Sequence, residues 1–370
     1  MKGGGAERVV QTIANYLVGK TNDLKIIVVT MDPGYVAYDM DSKIKTYNLK
    51  LGFLNRSIGK ILFLPFQAWE FARIVQRERP NAVISFLVRA NLVHVLSRVF
   101  GNKNQIIISE RTTTYDLYKK ANIQDKIMGK LIRLLYPKAD CILAISKGVK
   151  KSLEFLGINS KKIRVIHNPQ DIDRIKKQSS ESCPIKLNVN NPVIVTTGRL
   201  VDQKDHVTLL EAFVKVNRKT GATLVVIGDG PKRDQLERKA KTLGIFNSVI
   251  FAGWQSNPFS IMKMSDLFVL SSKIEGFGNV IVEAMACGLP IVSTNLEGPR
   301  EILKDGEVGL LVPVGDSKTL GDAILTMLTD KELYSYYKGK SFERAEEFDV
   351  KKIIPQYLNF LDMDFPIRTK

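Results

Sequence analysis

Two glutamates lie eight positions apart around a glycine-rich turn in an otherwise apolar stretch. Residues 271–290 read SSKIEGFGNVIVEAMACGLP, with Glu275 before the turn and Glu283 on the helix predicted to follow it. Glycine lets the backbone approach a ligand closely, and the first turn of a helix binds phosphate through its unpaired N–H groups. Carboxylates on both sides of the turn could accept hydrogen bonds from two sets of hydroxyls on one anionic ligand. The pattern favours a nucleotide-sugar site, although a helix-end acid and a surface glutamate would share the spacing.

A second pair of charged residues follows another predicted strand. Arg199 and Lys204 lie in GRLVDQKDHVTLLEAFVKV, which runs from residue 198 to residue 216. Two cations at a strand end could neutralise a departing diphosphate without a metal ion, because Arg makes forked contacts with phosphate and Lys supplies a point charge. Either cation alone could also belong to an ordinary basic loop.

Short β-branched runs alternate with segments of helical period along the whole chain. The predicted strands are 24–30, 82–86, 105–109, 141–145, 164–166, 193–197, 222–227, 249–251, 267–270 and 291–293. Most of these runs are continuously apolar, which is typical of parallel strands covered by helices on both faces. We therefore predict an α/β fold of two Rossmann-like, doubly wound parallel-sheet lobes, with ligands bound in a cleft at the carboxyl ends of the strands.

The domain boundaries are predicted from a polar segment that contains three prolines, residues 168–192. We expect a first lobe at 1–172, a second lobe at 190–348 that binds the nucleotide sugar, and a C-terminal segment at 349–370. The chain opens on KGGGAERV without an apolar strand in front of it. Because such a loop follows the first strand of a doubly wound lobe, we expect that strand to be missing from this sequence.

The net charge of +17 is confined to one half of the chain. Residues 1–180 contain 31 Lys and Arg against 14 Asp and Glu, whereas the remaining residues are balanced. This asymmetry favours an anionic partner for the first half, such as phosphate groups, a membrane surface or nucleic acid, although solvated helix faces would also explain it. The sequence has no helix-turn-helix, zinc or RNA-binding signature, so we do not expect nucleic acid as a partner.

Cysteine usage and acidic tripeptides bear on the compartment and on metals. Three widely spaced cysteines and the absence of a membrane-length apolar run are typical of a reduced, cytoplasmic protein. The tripeptides at 39–41, 171–173 and 362–364 have the form Asp-x-Asp, but none follows an apolar strand. We therefore expect no metal ion and no cofactor, the nucleotide sugar being a co-substrate.

An ordered set of motifs resembles the retaining GT-B glycosyltransferases of family four. The motifs are GGGAERV, GRLVDQKDHVTLLEAF, VVIGDGPKRDQLE, FAGWQSNP, EGFGNVIVE followed by AMACGLPIV, GPREIL and GEVGLLVPVGD. The resemblance covers nearly the whole chain. It implies that the N-terminal lobe at 1–172 is the acceptor side, that the lobe at 190–348 binds the nucleotide sugar, and that the segment 349–370 crosses back to the first lobe. It implies a GT-B fold and metal-independent hexosyl transfer with retention, in which the leaving phosphate takes the proton of the incoming hydroxyl. UDP is the expected nucleotide.

The resemblance also assigns roles to individual residues. Glu275 would contact the donor sugar, Glu283 the ribose, and Arg199 and Lys204 the diphosphate, so that Arg199, Lys204 and Glu275 form the catalytic set. Further donor contacts would come from the N-terminal loop at Gly3, Gly4 and Gly5, from the turn at Gly276, Phe277, Gly278, Asn279 and Val280, and from Gly230 and Trp254 near the base.

The acceptor side departs from the family pattern. Many relatives carry a histidine after the strand that ends near residue 86, where this chain has Arg89 and Asn91, and His94 is expected in the core. Glu110 and Arg111 are further acceptor-side candidates. Basic and aromatic residues mix in 50–80 and 110–138, which suits either a lipid interface or the inner faces of helices.

The expected acceptor is a glycan, held at the membrane by a polyprenyl diphosphate or another lipid. We therefore expect a cytoplasmic protein at the inner face of the plasma membrane that acts in cell-surface polysaccharide or lipid-linked oligosaccharide synthesis. The alternatives are a catalytically degenerate partner subunit that binds nucleotide sugars and, less favoured, a nucleic-acid-binding protein. An NAD-dependent oxidoreductase is disfavoured because KGGGAERV lacks the spacing G-x-G-x-x-G.

Overall fold

The chain folds into two compact units. A computed structural model describes residues 4–20, 24–31, 40–49, 61–113, 123–188 and 190–364. Unit 1 comprises Met1–Pro169 and Val350–Lys370, and unit 2 comprises Gln170–Asp349. The chain therefore passes between the units at 169/170 and at 349/350. The helix Ile172–Ser179, which lies within the segment 168–192 from which the boundary was predicted, belongs to unit 2.

Twelve strands are seen in the described ranges. They are β1 Ile27–Thr30, β2 Lys45–Asn48, β3 Ile84–Phe86, β4 Ile107–Glu110, β5 Cys141–Ala144, β6 Ile163–Val165, β7 Val193–Thr197, β8 Thr223–Ile227, β9 Val249–Gly253, β10 Leu267–Leu270, β11 Ile291–Thr294 and β12 Leu310–Val312. All ten predicted strands are present. The sequence missed β2, which is short, polar and largely exposed, and β12, which has only three residues.

The α-helices of the same ranges separate most of these strands. They are α1 Gly5–Lys20, α2 Leu64–Glu78, α3 Val88–Leu96, α4 Ile123–Leu135, α5 Lys147–Phe155, α6 Ile172–Ser179, α7 His206–Thr220, α8 Arg233–Thr242, α9 Phe259–Lys263, α10 Asn279–Ala286, α11 Glu297–Ile302, α12 Ser317–Thr329, α13 Lys331–Ala345 and α14 Val350–Asp364.

Every strand pair in the described chain is parallel, as predicted. Unit 1 has a sheet of order β3-β4-β5-β6 and a separate pair β1-β2, and unit 2 has a sheet of order β12-β11-β10-β7-β8-β9. In unit 1, the C-terminal helix α14 packs Ile353 and Tyr357 against Ile107 and Leu143 of the four-stranded sheet.

The core of unit 2 explains why its strands are continuously apolar. Leu224, Ile194 and Leu267 lie side by side on three strands and are buried beneath α7 and α12, where Phe213 and Leu320 are also fully buried. Burial of large apolar side chains between a sheet and its helices is the main favourable term for such a fold. This apolar core holds the strands in place, and the loops of the site begin at the carboxyl ends of those strands.

The strand order of unit 2 creates a switch point beside β7. The chain passes from β7 to β8 on one side, whereas β10 pairs with β7 on the other side. The loops after β7 and β10 therefore leave neighbouring strands in opposite directions, which opens a crevice at the carboxyl edge where open parallel sheets bind ligands.

The loop after β7 interlocks with the loop after β8. The Gly198 N–H donates to Ile227 O at 2.9 Å, and the Leu200 N–H donates to Asp229 O at 3.0 Å. Gly228 has φ 130°, and a Cβ at this position would lie 2.1 Å from Gly198 O. Only glycine fits here, because any larger residue would both clash and adopt a strained backbone conformation.

We expect Gly228→Ala to lower the free energy of unfolding by about 3 kcal/mol or more, since strain and a backbone clash add together. The matched control is Gly244→Ala, where φ is 71° and no atom lies within 4 Å of the added Cβ. That change should cost about 1 kcal/mol. Urea unfolding of both variants checks the difference, and equal losses would contradict the interlock.

Candidate functional site

The loops that follow β7 and β10 meet in an ion pair. Lys204 ends the 3-10 helix Asp202–Lys204, and its Nζ pairs with Oε1 of Glu275. The Lys204 side chain is 20% exposed and the Glu275 side chain 15%, so both are partly shielded from water while a ligand still has access to them. The strand order explains this meeting, because β7 and β10 are neighbours although their loops are far apart in sequence.

Two hydrogen bonds to backbone carbonyls hold the loops of the ion pair together. Ser271 Oγ donates to Lys204 O at 3.0 Å, and the Lys273 N–H donates to Gln203 O at 2.8 Å. The aliphatic chain of Lys204 passes 3.4 Å from the position of a Cβ at Gly198, so this glycine makes room for the lysine. Since neither hydrogen bond involves the charged groups, a ligand could exchange partners with Lys204 and Glu275 without unfolding the site.

The same loops are joined by a second ion pair, which was not predicted from the sequence. Asp205 is buried with a left-handed φ of 46°, accepts from Thr208 Oγ1 at 2.7 Å, and pairs with Lys273 Nζ at 2.9 Å. An Asp directly before a helix, with a Thr three positions later, is a signal for a helix start. The signal does not reveal Lys273, because that partner comes from a different loop.

Positive charge in the β7 loop comes from Arg199 and Lys204 but not from the neighbouring His206. Burial lowers the pKa of His206 to about 4, and the positive charge of Lys204 acts in the same direction, so the imidazole is neutral at pH 7. Arg199 is exposed, and within the described part of the chain its guanidinium has no hydrogen-bond or ion-pair partner. Its neighbour Leu200 is fully buried and anchors the loop.

The glycine turn leads into helix α10 at the same edge of the sheet. Gly278 precedes the helix with φ 109°, and Asn279 and Val280 are its first residues. Gly276 and Phe277 are buried, and the Phe277 ring makes an edge contact with Phe348 at 5.4 Å. The N–H groups of the first helical turn therefore lie close to Glu275, where an anion would be stabilised.

Glu283 lies on α10 and is only 4% exposed, so the alternative of a surface glutamate is wrong. Its negative charge and burial together raise the pKa of the nearby Cys287 to about 12, burial being the larger cause. Cys287 is thus a protonated, buried thiol with no role as a nucleophile at neutral pH.

The two residues expected near a nucleobase also lie at the carboxyl edge. A Cβ at Gly230 would be 2.5 Å from Leu200 O, so this glycine packs against the β7 loop. Trp254 follows β9 and is 57% exposed, which leaves an aromatic surface open to a ligand.

The N-terminal glycines are only partly described. Gly3 lies outside the described residues, as do Asp39 and the stretches 50–60 and 114–122 of the basic and aromatic segments. Gly4 is exposed and its N–H donates to Glu7 at 3.1 Å, and Gly5 begins α1.

In unit 1, the acceptor-side candidates Asn91 and Glu110 belong to a buried polar network. Asn91 Nδ2 donates to Ser109 O at 2.9 Å and to the Tyr136 hydroxyl at 3.0 Å. Tyr136 in turn donates to Glu110 Oε2 at 2.6 Å. Burial raises the pKa of Glu110, whose Oε1 accepts from the backbone N–H groups of Arg111 and Thr112.

The other unit 1 candidates are also held by protein groups. Arg111 is 6% exposed, lies 4.7 Å from the centre of the Phe86 ring, and donates to Asn168. Arg89 donates to Met31 O at 2.9 Å. Buried His94 contacts Phe71 in the core, and burial lowers its pKa to about 4. These residues shape the carboxyl ends of β3 and β4 from within.

The described residues bear on metal binding and on membrane spanning. No group of three or more His, Cys, Asp and Glu side chains there has an arrangement that could hold a metal ion. Asp171, from one of the Asp-x-Asp tripeptides, instead caps α6 by accepting from the Arg174 N–H at 2.9 Å. Nor does that part of the chain contain a helix with the length and apolarity needed to span a membrane.

Comparisons of sequence identify relatives of the whole chain. The profile described as Glycosyltransferase Family 4 matches residues 3–174, and that of Glycosyl transferases group 1 matches 177–344. The chain is 33% identical over 366 residues to N-acetylgalactosamine-N,N'-diacetylbacillosaminyl-diphospho-undecaprenol 4-alpha-N-acetylgalactosaminyltransferase of Campylobacter jejuni, covering 97% of this chain and 96% of that one. It is 31% identical to the lipopolysaccharide core biosynthesis glycosyltransferase LpsE of Rhizobium meliloti, covering 97% and 96% of the two chains.

Comparisons of structure give the same fold. The Anabaena protein HepE, solved with UDP and glucose, matches with a TM-score of 0.77 at 21% identity over 97% of this chain and 96% of that one. Sucrose-phosphate synthase from Thermosynechococcus elongatus matches with a TM-score of 0.83 at 20% identity over 98% and 94%. The predicted fold is confirmed: the chain belongs to glycosyltransferase family 4 and has the GT-B fold, with its switch-point ion pair in the second unit.

Proposed function

We propose that this glycosyltransferase moves a hexose or N-acetylhexosamine from a UDP-sugar to a glycan acceptor, with retention and without a metal ion. The observation that carries the proposal is the meeting of Lys204 and Glu275 at the switch point, beside the exposed Arg199 and the start of α10. The solved HepE complex with UDP and glucose supports the choice of nucleotide.

The charges of the site suit a diphosphate and a sugar at adjacent positions. When the donor binds, Lys204 exchanges Glu275 for a phosphate oxygen, and Glu275 then accepts a hydrogen bond from a sugar hydroxyl. Arg199 provides a second cation with a forked set of donors. The buried Glu283, one turn into α10, is the residue assigned to the ribose.

The transfer step needs no nucleophilic carboxylate. The bond between the anomeric carbon and the β-phosphate oxygen breaks, and its electron pair stays on the phosphate. The acceptor oxygen forms the new bond on the same face, and its proton passes to the departing phosphate oxygen. Arg199 and Lys204 stabilise the charge that grows on this phosphate, which is an electrostatic form of catalysis.

The acceptor is proposed to be a lipid-linked glycan of a cell-surface polysaccharide, lipopolysaccharide or lipid-linked oligosaccharide. The name of the Campylobacter relative specifies a diphospho-undecaprenol acceptor, and that of the Rhizobium relative specifies lipopolysaccharide core synthesis. Both relatives match this chain nearly end to end, which supports a related acceptor class. We propose a cytoplasmic location at the inner face of the plasma membrane.

A surface of unit 1 supports membrane contact. Along α2, Phe66 and Trp69 are 42% and 40% exposed on one face, and the guanidinium of Arg73 lies 5.1 Å from the Trp69 ring centre. The opposite face, with Phe71 and Val75, is buried. The alternative that these aromatic residues form the buried face of a helix therefore holds for Phe71 but is wrong for Phe66 and Trp69. Exposed aromatic rings beside cations suit an anionic lipid interface.

The proposal as a whole is tested by a thermal-shift screen of nucleotide sugars followed by a transfer assay in EDTA. A bound donor should raise the Tm, since ligands stabilise the native state, and transfer should persist in EDTA. Glu275→Gln should keep UDP binding and lose transfer, whereas Asp322→Asn, which breaks the exposed Lys215–Asp322 pair, should keep both UDP binding and transfer. Loss of transfer in EDTA would refute metal independence, and donor binding without any turnover would indicate a degenerate partner subunit.

Arg199→Ala should lower turnover by about 10²–10³-fold, as removal of one transition-state donor does in other enzymes. The Tm should hardly change, because Arg199 is exposed. Steady-state kinetics with a matched donor and acceptor measures the effect, and Arg218→Ala on the exposed end of α7 is the control. Turnover close to that of the wild type would remove Arg199 from the catalytic set.

The double change Phe66→Ser and Trp69→Ser should reduce cosedimentation with vesicles that contain anionic lipid, because it removes the apolar part of the α2 surface. Phe155→Ser, at a residue of unit 1 that is 65% exposed, provides the control. Equal binding of the wild type to anionic and neutral vesicles would contradict the proposed membrane contact.

A further inference from the structure

Arg344 joins the end of α13 to the end of α11. Its Nε donates to Ile302 O and one terminal nitrogen donates to Glu301 O, both at 2.8 Å. The third nitrogen pairs with Glu347, and the side chain is only 10% exposed. A cation at the last carbonyls of a helix satisfies groups that have no partner within the helix.

Helix α11 in turn lies against the glycine turn that precedes α10. A Cβ at Gly298 would be 2.7 Å from both Phe277 Cα and Phe277 O, and 2.8 Å from Gly276 O. At the other end of α11, Ile302 Cδ1 lies 3.6 Å from the position of a Cβ at Gly278. The short helix therefore contacts the turn near both of its ends, and a shift of α11 would move the turn.

A chain of aromatic contacts leads back from Arg344 to the same turn. The guanidinium carbon lies 4.6 Å from the centre of the Phe348 ring, and that ring makes the edge contact with Phe277. Phe348 is 1% exposed. The contacts thus close a ring within unit 2 that runs from the turn through α11, Arg344 and Phe348 back to the turn.

The arginine is suited to this place by shape as well as by charge. Burial lowers its pKa while Glu347 raises it, and a guanidinium stays protonated at any ordinary pH. The planar guanidinium contacts two carbonyl oxygens and an aromatic ring at the same time, and a lysine ammonium cannot reproduce this geometry.

We propose that Arg344 is a positioning residue for the donor diphosphate. It touches neither donor nor acceptor, but it holds the turn at Gly276, Phe277 and Gly278 so that the first N–H groups of α10 meet the phosphates. The inference rests on the proposed function, which puts the diphosphate at this turn. It adds a residue some seventy positions away that the family motifs do not include.

The test compares UDP with uridine, which lacks the phosphates that the turn would hold. Arg344→Gln should raise the Kd of UDP about tenfold, or about 1.4 kcal/mol. The Kd of uridine, measured by ligand-observed NMR, should change by less than about twofold. Arg344→Lys should lie between wild type and Arg344→Gln. Lys340→Ala, which breaks an exposed pair with Glu343 on the same helix, should leave both constants unchanged.

A second variant approaches the turn from its other side. Gly298→Ala places a methyl group against Phe277 and should weaken UDP binding selectively in the same way, so it replaces Arg344→Gln if that protein does not fold. A lower Tm with unchanged UDP affinity, or equal losses for UDP and uridine, would overturn the positioning role. Failure of the wild type to bind UDP would instead refute the proposed function and this inference with it.

Discussion

The site depends on the way the β7 loop is held by its neighbours. On one side, backbone hydrogen bonds and the close approach of Gly228 fasten it to the β8 loop. On the other side, the Lys273 N–H donates to Gln203 O and fastens it to the β10 loop, and the ion pairs Lys204–Glu275 and Asp205–Lys273 join the same two loops. Because main-chain contacts fix the loop, its side chains remain available to a ligand. A loop held only by side chains would lose its geometry whenever a ligand took one of them.

The electrostatics of the region follow from burial. His206 and Cys287 are neutral at pH 7 because burial disfavours their charged forms, so neither of them adds charge to the site. Cations next to carboxylates match a ligand that carries a diphosphate beside hydroxyl groups. Family membership and the arrangement of these charges therefore support the same class of substrate from independent observations.

Unit 1 shows a different use of polar residues. Asn91, Glu110 and Arg111 were predicted to face the acceptor, yet each is at least 94% buried and bonded to protein groups. These residues lie at or near the ends of strands, where ligand-binding residues are common. The same position also suits a buried hydrogen-bond network that holds the strand ends together. Position after a strand does not separate these two roles, since burial depends on the helices that pack above.

The sequence by itself determined the fold class and the loops that carry the site. Continuous apolar runs required strands covered on both faces, and the charged residues that follow such strands must lie at one edge of a parallel sheet. Tertiary structure alone decided that β7 pairs with β10, and hence that Lys204 meets Glu275 and that Asp205 meets Lys273. Tertiary structure also placed Arg344 against Ile302 and Phe348, which contact the glycine turn. The physical reason is that strand order and helix packing arise from contacts between distant segments, whereas a local pattern records only which side of each segment is apolar.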